Sequence, residues 1–175
     1  HDTTAKSLQF AQPQLLHFVT GGAERMDSVL AALEYLQDFA DATDWVLVHD
    51  VARPCVLPRD LKQLIDTLTT DDVGGLLAVP VRDTLKRATQ QQVINTVSRD
   101  DLWQCQTPQM FRFGVLKHAL QHAKKNQLLV TDEASAIELQ NLSVKLVAGS
   151  SSNIKITYPE DLALAAAIMQ AEAFS

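Results

Sequence analysis

The 175-residue chain is 46% hydrophobic and 21% charged, the balance of one folded domain with a real core. Its formal net charge of -6 argues against a general nucleic-acid surface, so any phosphate site has to be assembled from a few local cations. Cys55 and Cys105 make neither a metal spacing nor a disulfide framework, and no apolar run reaches membrane-spanning length. The expectation is a reduced, cytoplasmic setting with no membrane partner, both thiols being buried small apolar residues.

His1 to Gln14 is polar and aperiodic and reads as a loop. Leu15 to Val19, closed by Thr20-Gly21-Gly22, reads as a strand and a turn. Met26, Val29, Leu30, Leu33 and Leu36 recur at helical spacing, which predicts an amphipathic helix from Arg25 to about Phe39. Val46 to His49 reads as a fully buried strand, with His49 a hydrogen-bonded core histidine. Pro58 opens a helix whose buried stripe is Leu61, Leu64, Ile65 and Leu68, and Gly74-Gly75 precede a strand over Leu76 to Val81. This alternation predicts βαβ units. The fold class is α/β: a Rossmann-like, mostly parallel sheet with helices on both faces.

The pattern changes over residues 82–106. Thr84 to Arg87 and Val93 to Val97 flank a polar turn and predict a hairpin with too little apolar surface to bury itself. Such a protruding β-arm should pack on another chain. Beyond it, Phe113, Leu116, Leu120 and Ala123 mark a helix, and Asp132 to Leu139 a short one capped by Thr131. Val144 to Ala148 is a strand. Thr157-Tyr158-Pro159-Glu160 opens a final helix with Leu162, Ala165, Ala166 and Met169 facing inward. Residues 1–175 form a single domain with an arm at about 82–106.

Polar residues gather where elements end. Asp50 follows the apolar run, where an α/β sheet opens its ligand crevice, and Arg53 stands three residues on. The pair could bind a ligand or simply pin a turn before Pro54. Gly22 with Ser28, Thr84, Arg99, Thr107, Thr131 and Lys155 lie at comparable places. Arg53, Arg99 and Lys155 would make one crevice anion-binding, with the threonine hydroxyls as neutral donors. Each residue singly has an ordinary explanation: a tight turn, a solvated cation, a helix cap. His118 and His122 sit one helical turn apart with no third ligand, and a solvated face explains them better than a metal. No Ser-His-Asp or Cys-His order supports covalent catalysis.

Taken together, Gly21-Gly22-Ala23-Glu24-Arg25-Met26-Asp27-Ser28-Val29, Val48-His49-Asp50-Val51-Ala52-Arg53-Pro54, Asp83-Thr84-Leu85-Lys86, Arg99-Asp100-Asp101-Leu102-Trp103, Thr107-Pro108-Gln109, Thr131-Asp132-Glu133 and Asn153-Ile154-Lys155-Ile156-Thr157 resemble the 2-C-methyl-D-erythritol 4-phosphate cytidylyltransferase family nearly end to end. A sister family acting on ribitol 5-phosphate shares much of this series. The resemblance implies cytidylyl transfer from CTP to methylerythritol 4-phosphate with release of pyrophosphate and with magnesium bridging the triphosphate. It implies Arg99, Lys155 and Asp50 as catalytic residues, Arg53, Thr84, Thr107 and Thr131 as substrate contacts, and Gly22 and Ser28 against the cytosine. It also implies a homodimer in which the arm carries Thr84 and Arg99 to the partner's site.

Two departures stand out. Ala23 occupies a place where the family often has an acidic residue, and no segment matches the family's N-terminal glycine-rich loop, since all six glycines lie elsewhere. The resemblance thus leads to the expectation that the N-terminal βα units are missing from this chain. The isolated polypeptide would then be catalytically crippled, or only a dimerising module that holds phosphorylated ligand.

Overall fold

A computed structural model describes the chain over residues 7–172, so the first six residues of the expected N-terminal loop lie outside the described part. In chain order the elements are α1 (Arg25–Leu36), β1 (Trp45–Val48), α2 (Pro58–Leu68), β2 (Gly74–Pro80), β3 (Leu85–Thr89), β4 (Gln92–Val97), β5 (Trp103–Arg112), α3 (Phe113–Lys125), α4 (Glu133–Glu138), β6 (Lys145–Ala148) and α5 (Pro159–Glu172). Four strands form the main sheet in the order β1-β5-β2-β6. β2 and β6 are parallel, whereas β5 runs antiparallel to both β1 and β2. Three strands therefore point one way and β5 is reversed between two of them. The arm explains the reversal. A chain that leaves β2 and comes back without a crossover helix must re-enter the sheet antiparallel, and Trp103 duly pairs with Pro80.

The core divides by the period-two alternation of the strands. Leu76 and Phe111 face one way, against Leu30, Leu33, Leu116, Leu120 and Ile137 of α1, α3 and α4. Their neighbours Leu77 and Met110 face the other way, with Val147, against Leu64 and Leu68 of α2. Helices thus cover both faces, as the alternation predicts. At Gly74, φ is +134° and an added Cβ would lie 2.2 Å from the Met110 carbonyl, so both backbone angle and space demand glycine there. The arm is a two-stranded hairpin of β3 and β4 with a register shift at Arg87/Ala88. Its turn residues Gln90 and Gln91 both have positive φ, the hand that matches strand twist.

Several expectations do not survive packing. Leu15 to Val19 is no strand: a 3-10 turn covers Pro13–Leu15, no described strand lies alongside to pair with it, and Leu15 and Phe18 are exposed. β1 is an edge strand of the described sheet, so Leu47 is exposed and His49 is a surface residue rather than a core one. Ile65 is exposed beside the α2 stripe, and in α5 only Ala165 is buried, with Leu162 and Met169 exposed. The cap of α4 is Asp132, not Thr131; its carboxylate accepts the Ser135 amide at 3.0 Å. Cys55 is buried as expected, but Cys105 is exposed at the open end of β5, before its strand enters the core.

Candidate active site

The site grows from the end of β1. Asp50 lies just past the strand, and its backbone N–H donates to the Thr107 hydroxyl at 3.0 Å. Thr107 belongs to the part of β5 that is buried, so the hydroxyl is fixed by the sheet. The His49 ring lies 3.1 Å from the same hydroxyl through Nδ1 and 3.0 Å from the Arg53 carbonyl through Nε2. A carbonyl only accepts, so Nε2 carries a hydrogen toward Arg53, while Nδ1 and the Thr107 hydroxyl share the other hydrogen bond. This hydroxyl–imidazole pair is spent on backbone groups and offers no free nucleophile.

Arg53 clamps three segments. Its backbone N–H closes the turn on the Asp50 carbonyl, its Nη1 donates to the Asn153 carbonyl at 2.7 Å, and its Nη2 reaches the Cys105 carbonyl at 3.4 Å. Nε is buried without a partner. Asn153 is wholly buried and donates from Nδ2 to the Thr107 carbonyl at 2.9 Å. Together these bonds set the loop ahead of Lys155 against the end of β1. Burial pulls the Arg53 guanidinium below its ordinary value, and the charge of Asp50 opposes that.

The charges then fall into a line. Lys155 Nζ meets Asp50 Oδ2 at 2.8 Å, across 105 positions of sequence. Arg25, the first residue of α1, grips Glu133 at 2.5 and 2.8 Å and reaches Asp50 Oδ1 at 3.3 Å. Glu133 opens α4 and is 1% exposed. Burial pushes the Asp50 carboxyl up, but the Lys155 hydrogen bond and the charges of Arg25 and Lys155 outweigh it and hold Asp50 below the ordinary carboxylate value. The Glu133 hydrogen bond raises Arg25 above its usual value. Arg25, Arg53 and Lys155 against Asp50 and Glu133 leave a local excess of one positive charge in a chain of net charge -6. That is the local cation store the composition required.

Gly22 donates its N–H to Ser28 Oγ at 3.1 Å. A Cβ at Gly22 would stand 2.2 Å from that of Asp27, so the turn hugs the first turn of α1 too closely for any side chain. Ser28 and Asp50 line one open cavity of about 480 Å³, together with Arg25, Val29, His49 and Val51. Ser28 and Asp50 thus share a cavity whose other walls are mostly apolar, Leu33, Leu36 and Val46 among them, and Arg53, Thr107 and Lys155 do not line it.

Three expected residues stand apart. Thr131 is exposed at the start of α4, where its N–H donates to Ser135 Oγ at 3.1 Å, and it lines a second cavity with Cys105 and Asp132. Thr84 and Arg99 lie at the root of the arm, exposed, and Arg99 donates to the Arg82 carbonyl. Among the described residues no hydrogen bond or ion pair joins either to Asp50 or Lys155. The residues that sequence reasoning missed are Arg25 and, as a charge partner rather than a helix-end residue, Glu133. One signal was available: a cation in the first helical turn opposes the macrodipole and so calls for a carboxylate partner from elsewhere.

Among the described residues no three His, Cys, Asp or Glu side chains gather to hold a metal. Both oxygens of Asp50 are already engaged by cations. The described side chains thus form no metal cage of their own.

Cations gathered with Asp50 and Glu133 near a strand end of an α/β sheet suit the binding of phosphate groups, as nucleotidyltransferases require. The profile of the family described as IspD, 2-C-methyl-D-erythritol 4-phosphate cytidylyltransferase, matches residues 1–171. The chain is 52% identical over 172 residues to the 2-C-methyl-D-erythritol 4-phosphate cytidylyltransferase of Acinetobacter baumannii (strain AYE), covering 98% of this chain and 72% of that protein. Identity to the Vibrio vulnificus (strain YJ016) protein of the same description is 52% over 165 residues, 94% of this chain and 70% of the relative. The solved structure of the Francisella tularensis 2-C-methyl-D-erythritol 4-phosphate cytidylyltransferase superposes with a TM-score of 0.80 at 39% identity, over 85% of this chain and 70% of that one. The chain belongs to the 2-C-methyl-D-erythritol 4-phosphate cytidylyltransferase family.

Proposed function

We propose that this chain carries the catalytic body of an enzyme that transfers a cytidylyl group from CTP to the 4-phosphate of 2-C-methyl-D-erythritol. A phosphate oxygen of the polyol attacks the α-phosphorus of CTP. The new P–O bond forms as the bond to the bridging oxygen breaks, and pyrophosphate leaves with the electron pair. Such a displacement needs positioning and charge neutralisation more than a protein nucleophile, which suits a site that presents none. The observation that carries the reading is the Asp50–Lys155 contact at 2.8 Å, which joins residues 105 positions apart at a carboxylate that lines the same cavity as Ser28.

In this reading Lys155 and Arg99 hold the attacking phosphate, and Asp50 orients Lys155 or the polyol hydroxyls. Thr84, Thr107 and Thr131 contact the substrate, while Arg53 adds positive charge from behind the loop it clamps. Gly22 and Ser28 lie against the cytosine. Magnesium, brought by the nucleotide, would neutralise part of the phosphate charge. A homodimer places the arm, with Thr84 and Arg99, over the partner's cavity. The exposed Val93 and Ile94 of β4 favour that reading, since a hairpin with these residues bare gains from a covering chain. The setting is cytoplasmic, with no nucleic-acid or membrane partner.

Pyrophosphate release with CTP tests this, using methylerythritol 4-phosphate in one arm and ribitol 5-phosphate in the other. Turnover, slow for a chain without the glycine-rich loop, is expected in the first arm alone. Lys155→Ala and Arg99→Ala each remove a charge-assisted contact of roughly 1.5–3 kcal/mol, or about one to two decades in kcat/KM. Equal turnover of both polyols, or unchanged kcat/KM in either variant, would contradict the assignment.

A further inference from the structure

Glu133, Arg25, Asp50 and Lys155 form an alternating row of charges that runs from a buried end to an open one. Glu133 is 1% exposed, whereas the Lys155 side chain is 48% exposed. The row links the first residue of α1, the first residue of α4, the end of β1 and the loop after β6. We infer that Arg25, anchored by Glu133, is a positioning residue that holds Asp50 in place while Lys155 turns to an incoming phosphate. The inference rests on the functional reading above and deepens it.

The physical case begins with what Lys155 must do. Its ammonium is engaged with Asp50 at 2.8 Å, so a phosphate can have it only by sharing or replacing that contact. If Lys155 were the only partner of Asp50, its departure would leave a half-buried carboxylate unpaired beside an arriving anion. Arg25 removes that obstacle. Its Nη2 bridges Glu133 Oε2 at 2.8 Å and Asp50 Oδ1 at 3.3 Å. The Asp50 contact is the longer of the two and has room to tighten. The two-bond grip of Glu133 fixes the guanidinium plane, because a buried carboxylate has nowhere else to turn. A lysine at position 25 could not reproduce the fork that serves both carboxylates. Nor does the helix itself retain Arg25, since a cation at a helix start is disfavoured.

A double-mutant cycle on the full chain, assayed with CTP and methylerythritol 4-phosphate, tests this. Arg25→Met is combined with Glu133→Gln, so that the buried carboxylate does not outlive its partner and unfold the protein. The second member of the cycle is Lys155→Met, and circular dichroism confirms folding of each variant. The pair R25M/E133Q should raise KM for the polyol phosphate about tenfold or more, and R25K should not rescue it. Added to K155M, the pair should cost less than about threefold further, because both act through one contact. Fully multiplicative losses, or wild-type KM in R25M/E133Q, would overturn the inference. A wild-type chain that neither turns over nor binds inorganic phosphate would sink the functional reading instead. The same cycle is then read on the Kd for inorganic phosphate by calorimetry, where additive losses again count against Arg25.

Discussion

Replacing Thr107 by Val tests how the strand end is held. The two side chains have nearly the same shape, so the change deletes a hydroxyl and little else. That hydroxyl accepts the Asp50 N–H at 3.0 Å and meets His49 Nδ1 at 3.1 Å. The imidazole is exposed and can turn to water, but the Asp50 amide is half-buried and loses its only strand-side acceptor. An unsatisfied buried donor costs about 1–3 kcal/mol, and partial exposure places this one at about 1–2 kcal/mol. For a chain of this size that lowers Tm by roughly 2–8 °C. Urea unfolding should show a lower midpoint with unchanged slope, because the surface exposed on unfolding is the same. Freed from its tether, Asp50 no longer presents its carboxylate squarely to Lys155, and kcat/KM should fall about tenfold. Thr107→Ser is the control: it gives up one buried methyl, about 0.8 kcal/mol, yet keeps the hydroxyl. It should be slightly less stable and almost fully active. The reasoning fails if T107V keeps both its midpoint and its kcat/KM, or if T107S loses as much activity as T107V.

Two further outcomes follow from the structure. Burial pushes the Asp71 carboxyl up, but Lys145 at 2.7 Å and the Val73 and Gly74 amides more than offset this and hold it below the ordinary value. A depressed carboxyl stabilises the fold fully above its unfolded value of about 4 and loses that contribution as pH falls through the lower folded value. Urea midpoints from pH 7 to pH 2.5 should show the gap between wild type and Asp71→Asn closing only at the acid end; a gap constant with pH would refute it. In the proposed homodimer, mixing Arg99→Ala with Lys155→Ala, each slowed by about one to two decades, should restore about a quarter of wild-type activity, since half of randomly paired dimers contain one intact composite site. No recovery after subunit exchange, with dimers present, would mean that Arg99 serves its own chain.

The fold was legible where one physical rule dominates. Helical spacing marked α1, α2 and α3 because each packs a single apolar stripe on the sheet, and the polar turn between two β-branched runs marked the arm. It was misread where a residue's fate depends on what lies beside it. Leu15 to Val19 has strand composition but no neighbour among the described strands, and Leu162 and Met169 have core composition but face outward. Composition records that a side chain is apolar; it does not say whether another surface arrives to cover it.

The same division runs through the site. Asp50, Arg53, Thr107 and Lys155, with Gly22 and Ser28, stood out as polar or turn residues where elements end, and their proposed roles came from the family resemblance. The net charge of -6 required only that any phosphate site be built from a few local cations. Tertiary structure decided which of those residues actually meet. It turned Arg53 into a clamp on the Asn153 and Cys105 carbonyls, reversed β5 so that Thr107 faces the Asp50 amide, and joined Arg25 to Glu133 across 108 positions. Such pairings depend on how separate elements dock, and docking is set by packing over the whole core, which no local window of residues contains.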